Sequence, residues 1–167
     1  DIFRVGKDRN DPVLVKMVTE KVGSVVDWLI YDMKIPYGPA ATQYPDHSAN
    51  RQLGVEGRSI NYLNLMRGKF LDMGGKLMLE TRAQEFIRDQ NGRVTGVKAV
   101  DANGNTVELT SKAVILASGG YGADQSMLPE KMKGYLFYGV DGETGDGYKM
   151  ATSIGADTIN LDLVKMY

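Results

Sequence analysis

Cysteine is absent from this 167-residue chain. That removes disulfides, thiolate metal sites and cysteine nucleophiles together. It leaves the compartment open, because a reducing cytosol and an oxidising periplasm both tolerate a chain without thiols. Histidine is almost absent, and His47 is the one copy. A single imidazole leaves only carboxylates as metal ligands, and none falls at ligand spacing, so no metal site is expected. His47 lies in a polar loop and is assigned no role. Charge of one sign is lacking too: 20 Lys and Arg face 21 Asp and Glu, for a net charge of −1. That balance gives no reason to expect nucleic acid as a partner. Long apolar runs are missing. The longest clean one, Ala113 to Ala117, falls far short of the roughly 20 residues a membrane helix needs. No signal peptide is visible, so cytoplasm, periplasm and cell surface all stay open.

What is present is ordinary for a globular domain: 43% hydrophobic and 25% charged residues, in a chain long enough for one real core. The chain begins at Asp1 rather than Met, and Tyr167 directly follows an apolar, strand-like stretch. Both ends read as cuts through a longer protein. The 20 glycines gather in loops, where backbone must turn tightly or approach a ligand.

Asp11-Pro12 reads as a helix start, with Asp as N-cap and Pro at the first helical position. Leu14, Val18, Val22, Val25 and Leu29 then recur at helical spacing. Residues 35–58 are broken by Pro36, Gly38, Pro39, Pro45, Gly54 and Gly57. Ser59 is the expected cap of a second helix over 60–73, ended by Gly74-Gly75. A strand is expected around Leu77 and Leu79. Strands over 83–88, 94–101 and 106–109 follow, joined by two Asn-Gly turns as a β-meander. Ala113 to Ala117 has the continuous apolar character of a strand buried on both faces. Met17, Met66, Met73 and Met150 sit at helical core spacings and are expected to pack.

Two loops could carry chemistry. The first is Ser118-Gly119-Gly120, at the end of the expected buried strand, where open α/β sheets bind cofactors. The bland reading is a tight turn. The second is Thr144-Gly145-Asp146-Gly147 at a helix start, where amide groups attract anions and hydroxyls. Asp146 would either cap its own helix or accept bonds from sugar hydroxyls. Ser118 is no nucleophile elbow, since neither G-x-S-x-G nor a partnered His accompanies it.

Taken in order, these segments resemble a known family. KAVILASGGYGAD followed by ETGDGYKMATSIGAD resembles the "strand, A-T/S-G-G, then T-G-D-G, small helix, G-A" signature of the fumarate reductase, succinate dehydrogenase and flavocytochrome c flavoproteins. LETRAQEFIRDQNGRVTGVKA resembles that family's strand, turn and G-x-V-x-G-V segment. NDPVLVKMVTEKVGSVVDWL resembles the helix before it. The likeness spans essentially the whole chain. It implies an α/β fold: part of a Rossmann-like FAD-binding domain with a β-meander and flanking helices. The family's G-x-G-x-x-G loop is not in this sequence, so residues 1–167 are expected to be a fragment lacking the N-terminal unit, the cap domain and the C-terminal part. Such a fragment should bind FAD weakly at best when isolated.

By the same resemblance, backbone at Arg82 and Ala83 would touch the adenine end of FAD. Ser118, Gly119 and Gly120 would line the cofactor, and Asp146 would bond to it. Counting the family's spacing from Asp146, the position of a substrate-binding His falls on Tyr167. Relatives acting on other 2-enoates, urocanate among them, are similar in having Tyr there. Tyr167 is therefore either a substrate contact that argues against fumarate or a packing residue of the cap interface. The implied activity is reduction of the C=C bond of a 2-enoate by hydride from flavin. The family's catalytic acid, usually an Arg, lies beyond Tyr167. The implied partners are a small-molecule enoate and an electron donor, a haem- or flavin-bearing domain or protein. Two other readings stay open: a ketosteroid dehydrogenase-like flavoenzyme, and a non-catalytic module with a degenerate flavoprotein fold.

Overall fold

A computed structural model describes residues 1–39, 43 and 47–161. The chain divides into two compact units, Asp1–Leu77 and Met78–Tyr167. No helix among the described residues is long and apolar enough to cross a membrane.

The first unit opens with a single turn, α1 (Ile2–Val5), and continues with α2 (Pro12–Tyr31). The start of α2 is the one its sequence demands. Asp11 is extended, and its carboxylate accepts from the amides of Val13 at 2.7 Å and Leu14 at 3.2 Å. Pro12 takes the first helical position, where no N–H is needed. The apolar stripe is in place, but Leu14, Val18, Val22 and Val25 all remain about half exposed. Ile35, at 2% exposure, is the deepest apolar side chain among the described residues. Past it the chain doubles back: Gly38 N–H donates to the Gly54 carbonyl and Glu56 N–H to the Pro36 carbonyl, both at 2.8 Å.

The helix α3 (Arg58–Asp72) does not begin at a serine cap. Its N-cap is Gly57, at φ 76°, and no side chain accepts from the first turn. Glycine adopts that left-handed geometry without steric cost, which moves the start upstream and leaves Ser59 inside the first turn. The Gly74-Gly75 stop is as expected, with Gly75 N–H returning to the Phe70 carbonyl at 2.9 Å. Met73 and Met17 are exposed, Met73 by 85%. Helical spacing alone therefore misassigned them to a core.

The second unit is built on an antiparallel meander of β1 (Arg82–Arg88), β2 (Val94–Val100) and β3 (Thr106–Thr110), in that spatial order. The register aligns Phe86, Val97 and Leu109 in one row and Ala83, Ala99 and Val107 in another. Both turns use the same device. Asp89 accepts from the amides of Asn91 and Arg93, and Asp101 accepts from those of Asn103 and Asn105. Each loop is D-x-N-G-x, with its glycine at positive φ, so local side-chain bonds fix the reversals. Gly96 is required in mid-strand because a Cβ there would overlap the Leu109 carbonyl oxygen.

A short helix, α4 (Asp146–Ser153), packs on β1. Met150 on α4 and Ala99 on β2 are the buried apolar side chains of this unit among the described residues. Two expected strands are not formed. Residues 75–80 are irregular. Residues 113–117 are irregular as well, and Ile115 is 91% exposed. A strand buried on both faces needs neighbours on both sides, and the described residues place none beside this segment.

Candidate functional site

Three segments of the second unit meet around one cleft of about 250 Å³. They are the start of β1, the loop at Ser118 and the first turn of α4. Thr81, Arg82 and Ala83 line it from the first, Leu116 and Ser118 from the second, Asp146 and Gly147 from the third. Four of the residues singled out in the sequence, Arg82, Ala83, Ser118 and Asp146, thus share one cavity although they span most of this unit. Gly119 and Gly120 are not among the residues that line it. Gly119 adopts φ 73°, and the Glu143 side chain rests against it: a Cβ on Gly119 would stand 3.4 Å from Glu143 Cγ. The Gly120 carbonyl accepts from the Gly145 amide at 3.1 Å, which ties the two glycine loops together. Tyr167 lies outside the described residues.

The close approach of loop and helix depends on glycine. A Cβ on Gly147 would overlap Ser118 Oγ and stand 3.0 Å from Leu116 Cδ1. Gly145, the N-cap of α4, sits at φ 76° against Met127 and Tyr121.

Asp146 does not cap its helix; no side-chain cap bond is present at this end of α4. Its carboxylate instead takes a two-pronged ion pair from Arg82, Nε to Oδ2 at 2.6 Å and Nη2 to Oδ1 at 2.7 Å. Thr144 Oγ1 adds a third bond at 3.1 Å. The Arg82 hydrogen bond, followed by that from Thr144, holds the Asp146 carboxyl below its ordinary range despite some burial, and Arg82 is shifted upward in return. The carboxylate also stands in the first turn of α4, where the helix dipole favours negative charge. The Arg82 side chain is 66% exposed, so the pair contributes little to stability. Its consequence is orientation: an ionised carboxylate fixed at a cleft wall, able to accept from hydroxyl donors.

Thr144 and Gly147 belong to a loop singled out in the sequence, whereas Thr81 and Lys149 were missed as neighbours of this cleft. For Lys149 a signal existed, since it follows Asp146 by three positions on one helix and therefore shares its face. For Thr81 none did. Among the described residues no group of His, Asp or Glu could hold a metal ion.

The family model described as "FAD binding domain" matches residues 1–167. The chain belongs to this FAD binding domain family. FAD is accordingly its cofactor, and the cleft carries a carboxylate able to accept from hydroxyl groups, beside Gly147, where a Cβ would overlap Ser118 Oγ. Among curated members, the urocanate reductase of Eggerthella lenta is 34% identical over the whole of this chain and 29% of its own length. The NADH:acrylate oxidoreductase of Vibrio harveyi is 27% identical over 92% of this chain and 16% of its own length. A flavocytochrome c3 fumarate reductase solved in its open conformation superposes with a TM-score of 0.84 at 24% identity, over 93% of this chain and 28% of that one. That likeness shows that the mixed helix and antiparallel-sheet fold is shared. The chain spans less than a third of each of these proteins.

Proposed function

We propose that this chain is the middle part of the FAD-binding domain of an enzyme that reduces the C=C bond of a 2-enoate other than fumarate. The G-x-G-x-x-G unit, the cap and the C-terminal flavin contacts would belong to other segments of that protein. The observation that carries the reading is the meeting of Arg82, Ala83, Ser118 and Asp146 at one cleft. The 34% identity to a urocanate reductase supports the substrate class.

When bound, FAD supplies the hydride for the β-carbon of the enoate. The residues of this chain hold and orient it. Backbone at Arg82 and Ala83 borders the adenine end, Asp146 accepts from a cofactor hydroxyl, and Ser118, Gly119 and Gly120 let backbone come close where a side chain would obstruct. Tyr167 contacts the substrate: a phenol donates one hydrogen bond and stacks on a flat ring, but lacks the positive charge of an imidazolium. Electrons arrive from a haem- or flavin-bearing domain or partner.

The test is anaerobic oxidation of reduced viologen by the FAD-loaded full-length protein, with urocanate, cinnamate, acrylate, fumarate and a ketosteroid offered in turn. Turnover of a non-fumarate enoate is expected. Turnover of fumarate alone, or of the ketosteroid alone, would overturn the proposal.

A further inference from the structure

Beside the cleft lies a set of bonds that no cofactor contact explains. The Lys149 ammonium, on the second turn of α4, donates to Asp124 Oδ2 at 2.9 Å and to the Thr144 carbonyl at 3.0 Å. Asp124 is held for this task. Its other oxygen accepts from the amide and hydroxyl of Ser126, at 3.0 and 2.5 Å, and the residue caps a short 3-10 turn over Gln125–Met127. Two backbone bonds run alongside: Ala123 N–H to the Glu143 carbonyl at 3.0 Å, and Gly145 N–H to the Gly120 carbonyl at 3.1 Å. Thr144 closes the chain, since its carbonyl is bound by Lys149 while its hydroxyl bonds Asp146.

We propose that Lys149 is the positioning residue of the cofactor cleft: it clamps the 118–124 loop to the 142–147 loop and so fixes Asp146 toward the cofactor. The inference rests on the FAD reading above and adds a residue to it. Glycine-rich loops have many conformations to lose, and affinity rises when they are ordered before the ligand arrives. The two loops supply neighbouring walls of the cleft, yet only two backbone bonds join them directly. A cation bridging a carboxylate on one and a carbonyl on the other adds a charge-assisted link, stronger than a neutral bond. A methionine at this position would keep the length and apolar stem but make neither bond. An arginine, with its forked donors, can reach both acceptors.

The test uses the full-length protein stripped of flavin, as wild type, Lys149→Met, Lys149→Arg and Asp124→Asn. Two quantities are read: the FAD dissociation constant by fluorescence titration, and hydrogen exchange of the Ala123 and Gly145 amides without cofactor. Lys149→Met should weaken FAD by about 3- to 10-fold and speed exchange at both amides. Asp124→Asn should do the same to a smaller degree, and Lys149→Arg should restore both readouts. Unchanged exchange in Lys149→Met overturns the clamp. Faster exchange with unchanged FAD affinity overturns its role in cofactor positioning. An arginine variant as impaired as the methionine one overturns the assignment to the bridging bonds. If Lys149→Met does not fold, Asp124→Asn and Lys149→Arg decide by the same readouts. Should wild type itself fail to bind FAD while the exchange pattern holds, the cofactor reading falls and the loop clamp stands alone.

Discussion

Gly147→Ala offers the sharpest structural test of the cleft. A methyl group at this buried position would overlap Ser118 Oγ and lie 3.0 Å from Leu116 Cδ1 and 3.2 Å from Ser118 Cβ. Side-chain rotation can move the Ser118 hydroxyl and the Leu116 methyl, but not Ser118 Cβ, so helix and loop must separate by a few tenths of an ångström. Overpacking of this kind costs about 1–3 kcal/mol. Alanine recovers up to about 1 kcal/mol through its better helix propensity, so the stability of the flavin-free protein should change little. Without cofactor the loop relaxes outward and sheds most of the strain; with cofactor it must return. The penalty should therefore appear in FAD affinity, as an increase of about 5- to 150-fold in the dissociation constant. Fluorescence titration of the deflavinated full-length protein measures it. Adding Ser118→Ala removes the worst overlap, so the double variant should bind FAD more tightly than Gly147→Ala alone. Wild-type affinity in Gly147→Ala, or strictly additive effects in the cycle, would refute the reasoning.

Three further outcomes are expected. In Arg82→Met, thermal stability should barely move, because the ion pair is largely exposed; the Asp146 carboxyl, followed by NMR, should titrate at a higher pH than in wild type. Asp124 is held at about 2, below its ordinary 3.8, by the Ser126 hydrogen bond first and that of Lys149 second. The unfolded chain binds the extra proton between these values, so this contribution is complete above about pH 4 and fades as pH falls through about 2; Asp124→Asn should flatten that part of the acid-unfolding curve. Tyr167→His should raise the kcat/KM ratio of fumarate over urocanate by about tenfold, and no change would mean that Tyr167 only packs.

The local signals in the sequence were read correctly where local chemistry decides the structure. Asp11-Pro12 starts α2 as expected, Gly74-Gly75 ends α3, and the meander follows its two D-x-N-G-x turns to within a residue at most strand ends. Long-range pairing was not legible. Asp146 looked like a helix cap because its own neighbours allow that role, while its actual partner, Arg82, lies 64 residues upstream. Ala113 to Ala117 has the composition of a buried strand, yet composition cannot supply the neighbouring strands that would bury it. The Gly57 start of α3 was hidden by Ser59, a better cap by side chain but two residues past the position where the backbone takes the positive φ of the N-cap. The candidate site was legible as residue types and order. Its closing contact, Gly147 against Ser118, needed coordinates.

The most direct test of the central claim is flavin content. The full-length protein should purify with, or take up, one FAD per chain, seen as absorbance in the 450 nm region relative to protein. Asp146→Ala should lose most of that flavin at a limiting FAD concentration while keeping its secondary structure. Full flavin retention in Asp146→Ala would contradict the account, because the carboxylate that the fold aligns at the cleft would then have no part in holding the cofactor.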